Sequence, residues 1–198
     1  MSRRQRRLAL SLAALGAVTL LVPACADDEP AAETPSGSVE TTAASTITVP
    51  SPDATPQVVE VTAVDFRFDD LPARLSAGSR LTLVNDSASE LHELVAFRLP
   101  DDEDRSVEEL MALPPSEAMA ALGQPTTVLL AAPGGEQIPA VGDGTLAEAG
   151  RYAVICSIPT GVDPGTYLAA AESQGGPPQV AGGPPHLVHG MFAEVTVE

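Results

Sequence analysis

The sequence predicts an all-β protein, a β-sandwich carrying short helical insertions. Short β-branched or apolar segments recur over the last ~140 residues, a length that forms one domain with its own core. Turn signals separate them, among them Gly78, Pro133-Gly134-Gly135 and Gly142-Asp143-Gly144. Helical signatures are few and brief, as expected of a sandwich with insertions.

Taken in order, Val58–Val64 is β-branched and reads as the first strand. Phe66 and Phe68 alternate with Arg67 and Asp69, the pattern of a half-buried strand, and Leu71–Gly78 reads as a turn. Arg80–Asn85 and Leu91–Leu99 continue the sheet. Asp101–Asp104 is a charge run with the character of a solvated face. Ser106-Val107-Glu108-Glu109 matches a capping box, so a short helix opens there and Pro114-Pro115 stops it. A second short helix is expected over Ser116–Leu122, ended by Gly123, before Thr126–Ala131 returns to strand. Gly150–Cys156 reads as a glycine turn followed by a buried strand. Asp163-Pro164-Gly165 suits a helix start, and Thr166–Ser173 is alanine-rich. The near-duplicate Gly175-Gly176-Pro177-Pro178 and Gly182-Gly183-Pro184-Pro185 reads as a loop, and Phe192–Val197 closes the domain as a strand.

The N-terminus carries a different message. Leu8–Val22 is apolar, follows four arginines, and is shorter than the roughly 20 residues of a membrane span. That is the pattern of an export signal. It exits at Val22-Pro23-Ala24-Cys25, which resembles the lipobox of bacterial lipoproteins. The resemblance implies that residues 1–24 are removed, that Cys25 is lipidated, and that the protein sits on the extracytoplasmic face of the cell membrane. Residues 25–56 are rich in Ala, Pro, Ser, Thr and acids and read as a disordered tether spanning on the order of 30 Å. The folded domain is expected over 57–198. Formal charge is −17 and becomes −21 without the arginine-rich segment, so no nucleic acid is expected as a partner. A cationic partner protein fits the charge better.

With Cys25 lipidated, Cys156 has no disulfide partner, and an unpaired thiol in an exported protein calls for a role. A buried inert thiol is one reading. Metal ligation is the sharper one, because Cys156 is followed by Pro185-His186-Leu187-Val188-His189-Gly190-Met191 and preceded by His92 on an earlier strand. One thiolate, two imidazoles and a thioether form the soft, mixed donor set of a blue-copper site.

These residues carry a resemblance to the cupredoxin family of small Greek-key β-sandwich copper proteins. They comprise Gly78 before a strand, Asn85, His92-Glu93-Leu94-Val95, Gly150-x-Tyr152-x-x-x-Cys156, His186-x-x-x-Gly190-Met191 and a final Val195-x-Val197 strand. By position the resemblance implies copper held by His92, Cys156, His186 and Met191. His189 competes with His186, but His186 lies five residues before Met191, the spacing the resemblance favours, and His189 then becomes a rim residue. The sequence departs from the family's pattern in one respect: 29 residues, Ser157 to Pro185, separate the cysteine from the second histidine. The expected function is electron transfer by a lipid-anchored type 1 copper protein, not an enzyme, working with a redox or copper-exchange partner protein. Copper delivery without redox turnover, or a metal-free protein-interaction module, are the alternatives.

Overall fold

The computed structural model describes residues 55–198; the expected signal segment, Cys25 and nearly all of the expected tether lie outside the described residues. Ten strands form along the described chain: β1 Val58–Val64, β2 Arg67–Asp69, β3 Arg74–Leu75, β4 Ser79–Asn85, β5 His92–Arg98, then β6 Thr127–Ala131, β7 Ile138–Val141, β8 Thr145–Leu146, β9 Gly150–Ile155 and β10 Phe192–Val197. Three helices, α1 Val107–Met111, α2 Pro115–Leu122 and α3 Pro164–Gln174, and one 3-10 turn, His186–His189, interrupt them. No helix among the described residues is long and apolar enough to cross a membrane.

The strands make two sheets, ordered β2-β1-β4-β8 and β3-β10-β9-β5-β6-β7. This is the two-layer β-sandwich expected. The main core draws Val61, Ala63, Leu81 and Leu83 from the first sheet and Leu94, Ala96, Leu129, Val154 and Val195 from the second. β4 shows the alternation of a strand with one wet face, its residues running buried and exposed in turn.

β5 is different, being buried on both faces. Leu94 and Ala96 point into the sandwich, whereas Val95 and Phe97 join a second cluster with Val107 and Leu110 of α1 and Leu122 of α2. The helical insertion therefore covers the outer face of the central strands, which explains the unbroken apolar run in Leu94–Phe97. Its entry is fixed by the predicted capping box: the Ser106 hydroxyl accepts from the Glu109 amide and the Glu109 carboxylate accepts from the Ser106 amide. Arg151 clamps the insertion from below. It pairs with Glu194 at 2.8 Å and donates to the carbonyls of Glu103 and Arg105 at 2.6 and 2.7 Å.

Several local expectations change. Phe66 is not a strand residue; it sits in the turn between β1 and β2 with φ of 63°. The stretch Leu71–Gly78 includes β3, which pairs in parallel with β10. Pro115 opens α2 as its first residue instead of only ending α1, a position where a missing amide costs nothing. β7, β8 and the 3-10 turn had no periodic signal; each is too short to show one.

Candidate metal centre

Two strands of one sheet deliver the first two donors. β5 and β9 are antiparallel with Val95 opposite Ile155. His92 shares the inward parity of Leu94 and Ala96, and Cys156, just past β9, shares that of Tyr152 and Val154. Both side chains therefore reach the same end of the core. The 3-10 turn supplies the third donor, His186.

The long excursion between Cys156 and His186 is closed at its neck. Pro159 and Pro185 form an antiparallel bridge. The His186 amide donates to the Ile158 carbonyl at 3.0 Å, the Leu187 amide to Cys156 at 2.9 Å, and the Thr160 amide to Pro184 at 3.1 Å. The ligand loop is thus held as a short ladder, and residues 161–182, which include α3, make the excursion beyond it, burying Val162 and Tyr167 in the main core. Gly182 is required there, because a Cβ on it would lie 2.5 Å from the Pro159 Cβ.

His92, Cys156 and His186 are each 0% exposed, and their donor atoms converge. His92 Nδ1 and His186 Nδ1 are 3.1 Å apart; the Cys156 Sγ lies 3.4 Å from His186 Nδ1 and 3.9 Å from His92 Nδ1. The circle through three atoms with those separations has a radius of about 2.0 Å, the length of a bond from a transition metal to nitrogen or sulfur. Two imidazoles and one thiolate suit copper. Met191 is also fully buried, and its backbone ties the donors together: its carbonyl accepts from the Cys156 amide at 3.1 Å and its amide donates to the His186 carbonyl at 3.2 Å. His189 stays on the exposed side of the 3-10 turn, apart from the triad.

Outer contacts orient each ligand. His92 Nε2 meets the Ser87 hydroxyl at 2.6 Å, and His186 Nε2 meets the Glu90 carboxylate at 3.2 Å. Each ring therefore turns Nδ1 inward. Both partners lie on the Asp86–Leu91 loop, which Asn85 organises by donating to the Glu90 and Ala131 carbonyls and accepting from the Ser87 amide. Two more places along the β5–β9 register, Ser157 stands opposite Glu93, and its amide donates to the Glu93 carboxyl at 3.0 Å. The Glu93 amide in turn donates to the Cys156 sulfur at 3.4 Å. Glu93 thus supports the site instead of facing solvent.

Burial governs the electrostatics. Desolvation, then the neighbouring His186, lowers the His92 pKa to about 4, so this imidazole is neutral near pH 7. Desolvation also lowers His186, opposed by its bond to Glu90. The Cys156 thiol is pushed up, first by burial and next by the Glu93 carboxyl, so metal binding at this sulfur must release its proton.

A two-sheet β-sandwich with His92, Cys156 and His186 drawn together is what the sequence resemblance implied. Neither a protein-family model nor a curated protein matches it. Solved structures similar to it include the Na-dithionite-reduced auracyanin of the photosynthetic bacterium Roseiflexus castenholzii, 22% identical with a TM-score of 0.40 over 73% of this chain and 98% of that one. Auracyanin B is 20% identical, with a TM-score of 0.33 over 74% of this chain and 92% of that one. Auracyanin A, described as a "blue" copper protein of Chloroflexus aurantiacus, is 20% identical, with a TM-score of 0.36 over 73% of this chain and all 100% of that one.

Ser87, Glu90 and Phe66 were not legible as site residues. Ser87 and Glu90 lie in a polar loop just ahead of His92, a position that could have marked them. Phe66 had no such signal. Its ring stands edge-on to His186 at 5.1 Å between centroids and tilts against His189 at 4.7 Å. A positive φ on a bulky residue is uncommon, and here it accompanies a ring that closes the site.

Proposed function

We propose that the protein is a one-electron carrier built on a single copper ion, which His92 Nδ1, Cys156 Sγ and His186 Nδ1 would hold together with the sulfur of Met191. The observation that carries this reading is the buried triangle of three donors at metal-binding separation. Copper in such a set would supply a one-electron couple whose potential follows the donor types and the surroundings of the sulfur. The chain's own contribution is a fixed frame. Ser87 and Glu90 hold the two rings, the Glu93 amide donates to the sulfur, and the closed neck keeps Cys156 and His186 in register. Full burial of all three donors favours a retained ion over one handed to another protein, and so electron transfer over copper delivery.

Val188 is 63% exposed next to His189, whose ring meets that of Phe66, and the described residues carry far more acids than arginines. A redox partner with a basic rim suits this end of the domain. Anchoring through a lipidated Cys25 would keep the carrier at the extracytoplasmic membrane surface.

The test is optical. The full chain given one equivalent of cupric ion should develop intense visible absorption, and Cys156→Ser should abolish it, because the band arises from the sulfur–copper bond. Tight copper binding without colour would exclude this centre.

A further inference from the structure

The two imidazoles of the candidate centre are backed unequally. Behind His92 stands a neutral hydroxyl, that of Ser87, whereas behind His186 stands a carboxylate. Glu90 is no stray surface acid. Its side chain is 15% exposed, and the oxygen that meets His186 Nε2 at 3.2 Å also accepts from the Gly161 amide at 2.9 Å. Its own carbonyl is held by Asn85 at 2.9 Å. Gly161 is the first residue of the excursion beyond the neck, so the start of that excursion helps fix the carboxylate against the ring. Phe66 covers the ring from another side, which leaves His186 with no exposed surface.

Building on the copper reading, we propose that Glu90 is a positioning residue that fixes the tautomer of His186 and places a negative charge behind it, favouring doubly over singly charged copper. A carboxylate that accepts the ring proton makes the other nitrogen a stronger donor. A fixed charge one imidazole away from the ion acts more on the form with the greater charge. The low exposure of Glu90 limits solvent screening of that effect.

The experiment uses the full chain and three variants. Glu90→Gln keeps the size and the hydrogen-bond acceptor but removes the charge. It should preserve the visible spectrum, raise the reduction potential, and weaken cupric binding about ten- to a hundredfold while cuprous binding changes less. Glu90→Ala should in addition alter the spectrum, because the ring loses its partner. Asp65, in the turn between β1 and β2 beside Phe66, acts on His186 through space but makes no bond to its ring, so Asp65→Asn should move the potential less than Glu90→Gln. A second readout needs no copper: nitrogen-15 NMR of the metal-free chain should show His186 protonated at Nε2 in the wild type and in Glu90→Gln, with that preference lost in Glu90→Ala. Unchanged potential and tautomer in both folded Glu90 variants would overturn the proposal, as would an equal shift from Asp65→Asn. A chain that takes up no copper yet keeps the Glu90-dependent tautomer would support the positioning role and sink the copper reading instead.

Discussion

At the scale of residues, the site distinguishes two histidines that lie three apart in sequence. His186 is fully buried within the donor triangle, and His189 is exposed on the same 3-10 turn. Removing a ligand should cost far more than removing a rim group. His186→Ala should therefore weaken copper binding by more than a hundredfold, beyond the ten- to hundredfold typical of outer partners, and His189→Ala by less than about threefold. Equilibrium copper competition measures both, and the reverse ranking would reassign the ligand. The neighbouring polar groups are satisfied as fully as the ligands: no buried side-chain nitrogen or oxygen among the described residues lacks a hydrogen-bond partner. A frame of this kind would limit how far the donors shift were the charge on a bound ion to change.

At the scale of elements, the neck of the excursion is the feature that makes a distant cysteine and histidine behave as one loop. Closing a longer loop costs only logarithmically more entropy, and a bonded ladder fixes the two ends directly. Gly182 is the sensitive point. Its substitution by alanine places a methyl group 2.5 Å from the Pro159 Cβ, a rigid neighbour three residues after the sulfur ligand. Gly182→Ala should destabilise the domain by about 1–3 kcal/mol, as overpacking does, and broaden the copper absorption. Gly176→Ala, in the same excursion but facing open space, should leave thermal stability and spectrum unchanged. Equal behaviour of the two variants would show that the neck does not govern the site.

At the scale of the molecule, the helical insertion is joined to the sandwich by a charge-assisted clamp. Arg151 holds the Glu194 carboxylate below the usual carboxylate range, and the Val107 amide also binds that carboxylate, at 3.2 Å. A depressed folded pKa means stability that is present above the unfolded value of about 4.3 and is lost as pH falls through the folded one. Both side chains are about a third exposed, so the contribution is discounted for solvent to about 1 kcal/mol. Glu194→Gln should melt roughly 3 °C lower than wild type at pH 7, with the difference shrinking as pH falls below the unfolded value and the carboxylate is protonated. Calorimetry across that range checks the sign; a gap that widens in acid would refute it. The other whole-molecule expectation concerns Cys25. Cys25→Ser should release the chain from washed membranes, because stable anchoring needs more than one acyl chain or signal; retention in the membrane fraction would exclude the lipoprotein reading.

Sequence by itself determined the six longest strands and pointed to three side chains that converge. β1, β4, β5, β6, β9 and β10 are long enough for β-branched and apolar patterning to reveal them, and the capping box at Ser106 states its helix start outright. His92, Cys156 and His186 were legible because few residue types bind soft metals and each lies at the end of a readable strand or in a distinctive motif. Tertiary structure alone decided how they meet. Glu90, two residues before one ligand, turned out to serve the other ligand 96 positions away. Phe66 left its expected strand for a turn in the left-handed region, where its ring covers His186. The neck at Pro159 and Pro185 resolved a spacing that sequence could present only as a departure. In each case the cause is the same: these contacts join residues far apart in the chain through single hydrogen bonds or ring edges, which leave no periodic trace in sequence and exist only once the two sheets have closed on their common core.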